Sequence, residues 1–210
     1  MKLYDCPGPP SPRRVRIFLA EKGLEVEKVM VNMREGEQLT DAFKEINPNC
    51  TVPVLELDDG TRISSIDAIN RYLEEICPEP PLFGTTPSER AQINEWCHYI
   101  NVNGFMAVAE ALRNSAPRLA GRAITGPRGF EQIPALAERG RQRALYFFED
   151  LNKQLEGHEF VVGNNYSVAD IGAMVVVDFA TGMAKIEMPE GLENLKRWHA
   201  VVSARQSASA

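Results

Sequence analysis

Four closely spaced prolines, Pro78, Pro80, Pro81 and Pro87, divide this chain into two halves with different periodicities. Before them, strand-like and helix-like spacings alternate. After them strand signals stop, and apolar residues recur only at helical spacing. Proline lacks a backbone N–H and locks φ, so such a cluster ends regular structure. The break predicts an α/β domain over residues 1–80, a linker at about residues 77–88 and an all-helical domain over residues 88–210.

Residues 2–5 read as a short strand and residues 6–12 as a proline-rich loop. Ser11 followed by Pro12 predicts a helix start, with Ser as N-cap and Pro at the first helical position. A helix over residues 13–22 closes at Gly23, and a strand spans residues 26–31. A short helix over residues 39–46 stops at Asn47-Pro48. Residues 54–57 and 61–64 form a hairpin around the turn Asp58-Asp59-Gly60. Ile66, Ile69, Leu73 and Ile76 then share one helical face. The order is β-α-β-α-β-β-α, a small layered α/β structure.

In the second half, Trp96, Tyr99 and Ile100 lie in a helical stretch over residues 88–115. Prolines and glycines break residues 116–130. Ala144, Phe147, Phe148, Leu151 and Leu155 form a helical stripe. Ser167-Val168-Ala169-Asp170 has capping-box spacing. The following helix, residues 171–183, is apolar nearly all round and predicts burial within its domain. Asp178 inside it reads as a buried acid without an identified partner. Residues 192–202 form a last amphipathic helix.

Composition narrows the class. Hydrophobic residues make up 44% of the 210, too many for a disordered chain. The net charge of −6 argues against a general nucleic-acid binder. The longest apolar stretch, near residues 171–179, is far shorter than a membrane span. Cys6, Cys50, Cys77 and Cys97 show no zinc-ligand spacing, so no metal is expected. No signal-like segment precedes the first strand, which predicts a cytoplasmic protein with reduced thiols.

The stretch Glu45-Ile-Asn-Pro-Asn-Cys-Thr-Val-Pro-Val-Leu-Glu-Leu-Asp-Asp-Gly60 resembles the glutathione-binding core of the cytosolic glutathione transferases. So do Arg14-Val-Arg-Ile-Phe-Leu-Ala-Glu-Lys-Gly23 and the helix containing Arg71-Tyr72-Leu73-Glu74. Gly163-Asn-Asn-Tyr-Ser-Val-Ala-Asp-Ile171 is similar to the family's capping-box segment, and Leu195-Lys-Arg-Trp198 also fits. Gly36-Glu-Gln-Leu-Thr-Asp-Ala-Phe43 leans toward the theta and zeta branches. The resemblance implies an α+β/α fold, a thioredoxin-like N-terminal domain followed by an all-α domain. It also implies a homodimer that binds glutathione and a small hydrophobic electrophile, with no nucleic-acid or membrane partner.

The implied reaction is attack of the glutathione thiolate on the electrophile. A free thiol has a pKa near about 8.5 and is only a few per cent ionised at neutral pH, so the site must favour the anion. In related members the catalytic Ser, Thr, Cys or Tyr falls at about position 9 or 10, where this chain has Pro9 and Pro10. The nearest replacements are Ser11 and Cys6. Ser11 is either a plain helix cap or a donor to the thiolate. Cys6 is either a small buried hydrophobe or a redox thiol. Arg13, Arg14 and Arg16 either attract an anionic ligand or form a solvated helix face, one of them pairing with an acid of the second domain.

The resemblance implies a cis bond at Val52-Pro53, with the Thr51, Val52 and Pro53 loop pairing with the peptide of glutathione. Where the family usually has Glu-Ser, this chain has Ser65 and Ile66. Ser65 still suits a helix cap that holds the γ-glutamyl carboxylate. Ile66 has no hydroxyl, and losing one hydrogen bond to a charged group, about 1.5–3 kcal/mol, weakens binding by roughly tenfold or more. Gln38 aligns with a contact to the glycine end of glutathione, or is a solvated loop residue. Tyr99, Asn103 and Met106 share helical spacing and are either an electrophile pocket or core. The leading reading is a glutathione transferase. A non-catalytic binding protein of the same family and a Cys6-based thiol-redox enzyme stand as alternatives.

Overall fold

The first strand, β1 (Lys2–Asp5), runs through the middle of a four-stranded sheet ordered β2-β1-β3-β4 in this computed structural model, which describes residues 1–210. β2 (Glu27–Met30) pairs with β1 in parallel, Lys2 opposite Glu27. β3 (Val54–Glu56) is antiparallel to β1, Tyr4 opposite Val54, and β4 (Arg62–Ile63) is antiparallel to β3. Leu3, Val54 and Leu55 are fully buried, as central strand positions require. The chain forms two compact units. One comprises Met1–Pro80, Ile124–Gly129 and Ala210; the other comprises Pro81–Ala123 and Phe130–Ser209.

In the first unit α1 (Pro10–Glu21) begins three residues earlier than expected, because Pro10 supplies the first turn. Pro9, not Ser11, occupies the N-cap, so Ser11 lies inside the first turn. Part of the expected second helix is a 3₁₀ turn, Glu37–Leu39; α2 (Asp41–Ile46) follows, capped by the Thr40 hydroxyl, which accepts from the Phe43 N–H at 3.3 Å. α3 (Ile66–Ile76) packs on α1 through fully buried Ile69 and Leu73. The expected apolar face ends there, since Ile76 is exposed. Lys22, at the end of α1, is buried. Its ammonium meets the Glu74 carboxylate at 2.5 Å and donates to the Pro78 and Pro80 carbonyls.

In the second unit α4 (Pro87–Tyr99) opens on a capping box of Thr86 and Glu89. It continues through a π-helical segment, Ile100–Phe105, into α5 (Met106–Arg113). α6 (Pro134–Gln154) packs closely on α5, and its predicted stripe of Ala144, Phe147, Phe148 and Leu151 is buried. α7 (Val168–Asp178) is buried along its length up to Val177, as its all-round apolarity requires. α8 (Glu193–Ser203) contributes fully buried Trp198.

Asp170 joins these helices. Its buried carboxylate accepts from the Val161 and Ser167 amides at 2.9 Å, the Ser167 hydroxyl at 3.0 Å and the Trp198 indole N–H at 2.9 Å. Asp178 is not the buried, partnerless acid of the sequence reading. It sits at the half-exposed end of α7, 2.8 Å from His199 Nε2. No helix is long and apolar enough to cross a membrane.

Candidate active site

Strand direction decides which loops meet. β1 and β3 are antiparallel, so the end of β1 and the start of β3 lie at one edge of the sheet. β2 ends at that edge beside Asp5, and the chain leaves β4 there to enter α3. Residues 6–11, the segment after β2 that carries Gln38, residues 51–53 and residues 64–66 are thereby brought to one side.

The loop before β3 is braced from within by Asn47, which is 3% exposed. Its side-chain N–H₂ donates to the Thr51 carbonyl at 2.8 Å and to Thr51 Oγ1 at 3.0 Å. Its side-chain oxygen accepts from the Asn49 N–H at 3.0 Å, and its carbonyl accepts from the Cys50 N–H at 2.9 Å. Val52-Pro53 is cis. Val52 packs with Tyr4, Val31, Phe43 and Val54, and Cys6 lies against the same cluster. The sequence shows Asn47 only as a helix stop; its hold on Thr51 depends on a buried side chain reaching four residues ahead.

The start of α1 is unusual for an anion site. The four N–H groups from N-cap to N3 have no partner within a helix. Here those positions are Pro9, Pro10, Ser11 and Pro12, and three have no N–H. Ser11 therefore supplies the single free peptide donor of the helix end, together with its hydroxyl. The preceding loop is tied by a buried ion pair. Arg16 Nη1 donates to Asp5 Oδ1 at 2.7 Å and to the Cys6 carbonyl at 3.2 Å, while the Cys6 N–H donates to Asp5 Oδ1 at 2.7 Å.

Three sequence readings need correction. The basic triplet is not a solvated face, since Arg14 and Arg16 are 7% and 8% exposed, and Arg16 pairs with Asp5. Gln38 is not a solvated loop residue; it is buried, and its side-chain oxygen has no partner in the protein. Ser65 caps α3 by position alone, since its exposed hydroxyl makes no cap hydrogen bond; Ile66 beside it is half-buried.

Tyr99, Asn103 and Met106 do not lie on one unbroken α-helix. The π-helical turn Ile100–Phe105 inserts an extra residue and shifts the register between them. Tyr99 turns into its own unit, where its hydroxyl donates to Asp150 and its ring stacks on Phe147 at 6.4 Å. Burial and the Asp150 carboxylate push its pKa up to about 12. Met106 is exposed and Asn103 half-buried. No group of three or more His, Cys, Asp and Glu side chains is placed to hold a metal ion.

A mixed sheet with a cis proline opening β3, joined in sequence to an all-helical unit, defines a thioredoxin-like domain with a helical companion. Residues 10–76 match the glutathione S-transferase N-terminal domain and residues 119–206 the glutathione S-transferase C-terminal domain. The chain is 33% identical to glutathione S-transferase 2 of Saccharomyces cerevisiae, over 99% of this chain and 87% of that protein. A crystal structure of a glutathione S-transferase domain-containing protein from Marinobacter aquaeolei superposes with a TM-score of 0.90 at 38% identity, covering 99% of each chain. That of Gtt2 from S. cerevisiae gives 0.90 at 32% identity, covering 99% and 98%. This chain belongs to the glutathione S-transferase family, and is a glutathione transferase.

Proposed function

We propose that Ser11 holds the glutathione thiolate in this enzyme, in place of the side chain that Pro9 and Pro10 displace. The observation that carries this reading is the proline-blocked start of α1, where the Ser11 N–H and hydroxyl are the donors left to an anion. A helix N-terminus favours negative charge, and two donors at one residue concentrate that preference. Thr51, Val52 and Pro53 bind the peptide of glutathione, Gln38 offers its buried amide to the glycine carboxylate, and the start of α3 at Ser65 and Ile66 receives the γ-glutamyl end. The acceptor is a small hydrophobic electrophile, and the enzyme works as a cytoplasmic homodimer in detoxification, as the family resemblance supports.

The test is the pKa of the thiol of bound glutathione, read from thiolate ultraviolet absorbance. Ser11→Ala removes the hydroxyl and raises that pKa by about one unit, worth about 1.4 kcal/mol. Ser11→Pro also removes the N–H and raises it further. An unchanged pKa in both variants overturns the assignment. The half-buried Cys6 at the same sheet edge favours a second reading, thiol-disulfide exchange. Disulfide reductase activity that survives in Cys6→Ser rejects it.

A further inference from the structure

Six residues in the middle of the helical half of the sequence, Ile124–Gly129, cluster with the N-terminal unit rather than with the helices on either side of them. Within this segment Gly126 is buried, while its neighbours are exposed. Its φ is +123°, a conformation open to glycine and strained for other residues. A β-carbon at Gly126 would stand in ordinary van der Waals contact, 3.7 Å from the carbonyl oxygen of Asn49, so the backbone angle rather than lack of space calls for glycine. Asn49 belongs to the turn whose other members Asn47 ties to Thr51. In that turn Cys50 is itself held at φ +54° and buried. The 47–53 loop is thus supported from inside by the Asn47 amide, and Gly126 lies beside the Asn49 carbonyl.

We propose that Gly126 is a positioning residue for glutathione. Its φ lets the Ile124–Gly129 segment turn against the Asn49 backbone and hold Thr51 and Val52 in the geometry that pairs with the peptide. This rests on the reading of residues 51–53 as the glutathione-binding loop. The segment touches the loop rather than the reacting sulfur, so it acts on binding and not on the chemical step.

The experiment compares Gly126→Ala and Gly126→Val with Gly121→Ala in the full-length enzyme. Gly121 also has a positive φ, +71°, but lies outside this segment and serves as the control for backbone strain. Calorimetric titration with glutathione, steady-state kinetics and amide hydrogen exchange of the 47–53 peptide are measured on each. Gly126→Val is expected to weaken glutathione binding and raise its KM about tenfold, with kcat within twofold and faster exchange at residues 47–53. Gly126→Ala shows the same pattern more weakly, and Gly121→Ala stays at parental values. Unchanged KM and exchange in Gly126→Val overturn the proposal, as does an equal effect of Gly121→Ala. If the parent enzyme fails to bind glutathione at millimolar concentration, the reading of the loop as its site fails. The bracing contact is then still judged on exchange alone, and unchanged exchange in Gly126→Val rejects it.

Discussion

The carboxylate of Asp5 and the guanidinium of Arg16 form an ion pair at 2.7 Å in which neither side chain is more than 9% exposed. The pair joins the end of β1 to the second turn of α1 and so sets the loop that carries Cys6. Removing one partner strands a buried charge, which costs about 3–5 kcal/mol. Asp5→Ala is therefore expected to lose at least about 3 kcal/mol in urea denaturation. Asp5→Asn retains an acceptor for the Cys6 N–H and loses less. A loss under about 1 kcal/mol in Asp5→Ala contradicts this account.

Asp170 satisfies four donors at once, from Val161, Ser167 and Trp198. Asp170→Ala leaves all four buried without an acceptor, and each unsatisfied group costs about 1–3 kcal/mol. The expected outcome is failure to fold or a loss of at least about 4 kcal/mol. Trp198→Phe removes one donor together with its need, and loses about 1–2 kcal/mol, chiefly in packing. Chemical denaturation of the two variants checks the ranking.

Gly140 brings α6 against α5. A β-carbon there would stand 2.5 Å from the Ala111 amide nitrogen and 2.7 Å from the Ala107 carbonyl oxygen. Gly-to-Ala in a helix interior ordinarily gains about 1 kcal/mol. Here the neighbours are backbone atoms, and overpacking costs about 1–3 kcal/mol or more. Gly140→Ala should lower the melting temperature; a rise would show that the two helices separate easily.

Glu56 ties three side chains together at the end of β3. It accepts from Lys2 at 2.9 Å, Arg62 at 2.7 Å and the Tyr4 hydroxyl at 3.2 Å. Hydrogen bonds from Lys2 first, then Arg62, hold its pKa at about 2, below the ordinary 4.5. A depressed pKa means that the unfolded chain takes up the proton first. The stabilisation is then full above pH 4.5 and lost as pH falls from 4.5 toward about 2. Glu56→Gln should flatten that part of the stability curve and leave the neutral region's slope unchanged.

Tyr99 should take no part in thiolate activation. Its phenol titrates near 12, held protonated by burial and by Asp150. Tyr99→Phe is expected to keep kcat within about twofold and to remove a phenolate transition near pH 12 in ultraviolet titration. A large fall in kcat with intact folding would place Tyr99 at the reacting atoms after all.

Local chemistry in the sequence determined most of the frame. The Ser167–Asp170 capping spacing and the Ala144–Leu151 stripe act over a few residues, and the elements they specify are present. The same holds for the Asp58-Asp59-Gly60 hairpin and the family motifs around Val52-Pro53. Tertiary structure decided what depends on distant partners. Arg16 looks like a surface cation until β1 delivers Asp5 to it, and Gln38 looks solvated until the turn after β2 buries it. The spacing of Tyr99, Asn103 and Met106 assumes an unbroken α-helix, which the π-helical turn replaces. Gly126 carries no sequence signal for its neighbour Asn49, because their approach is set by the path of the whole chain between them. Propensity and spacing are properties of a segment; burial and ion pairing belong to segments that only the folded chain brings together.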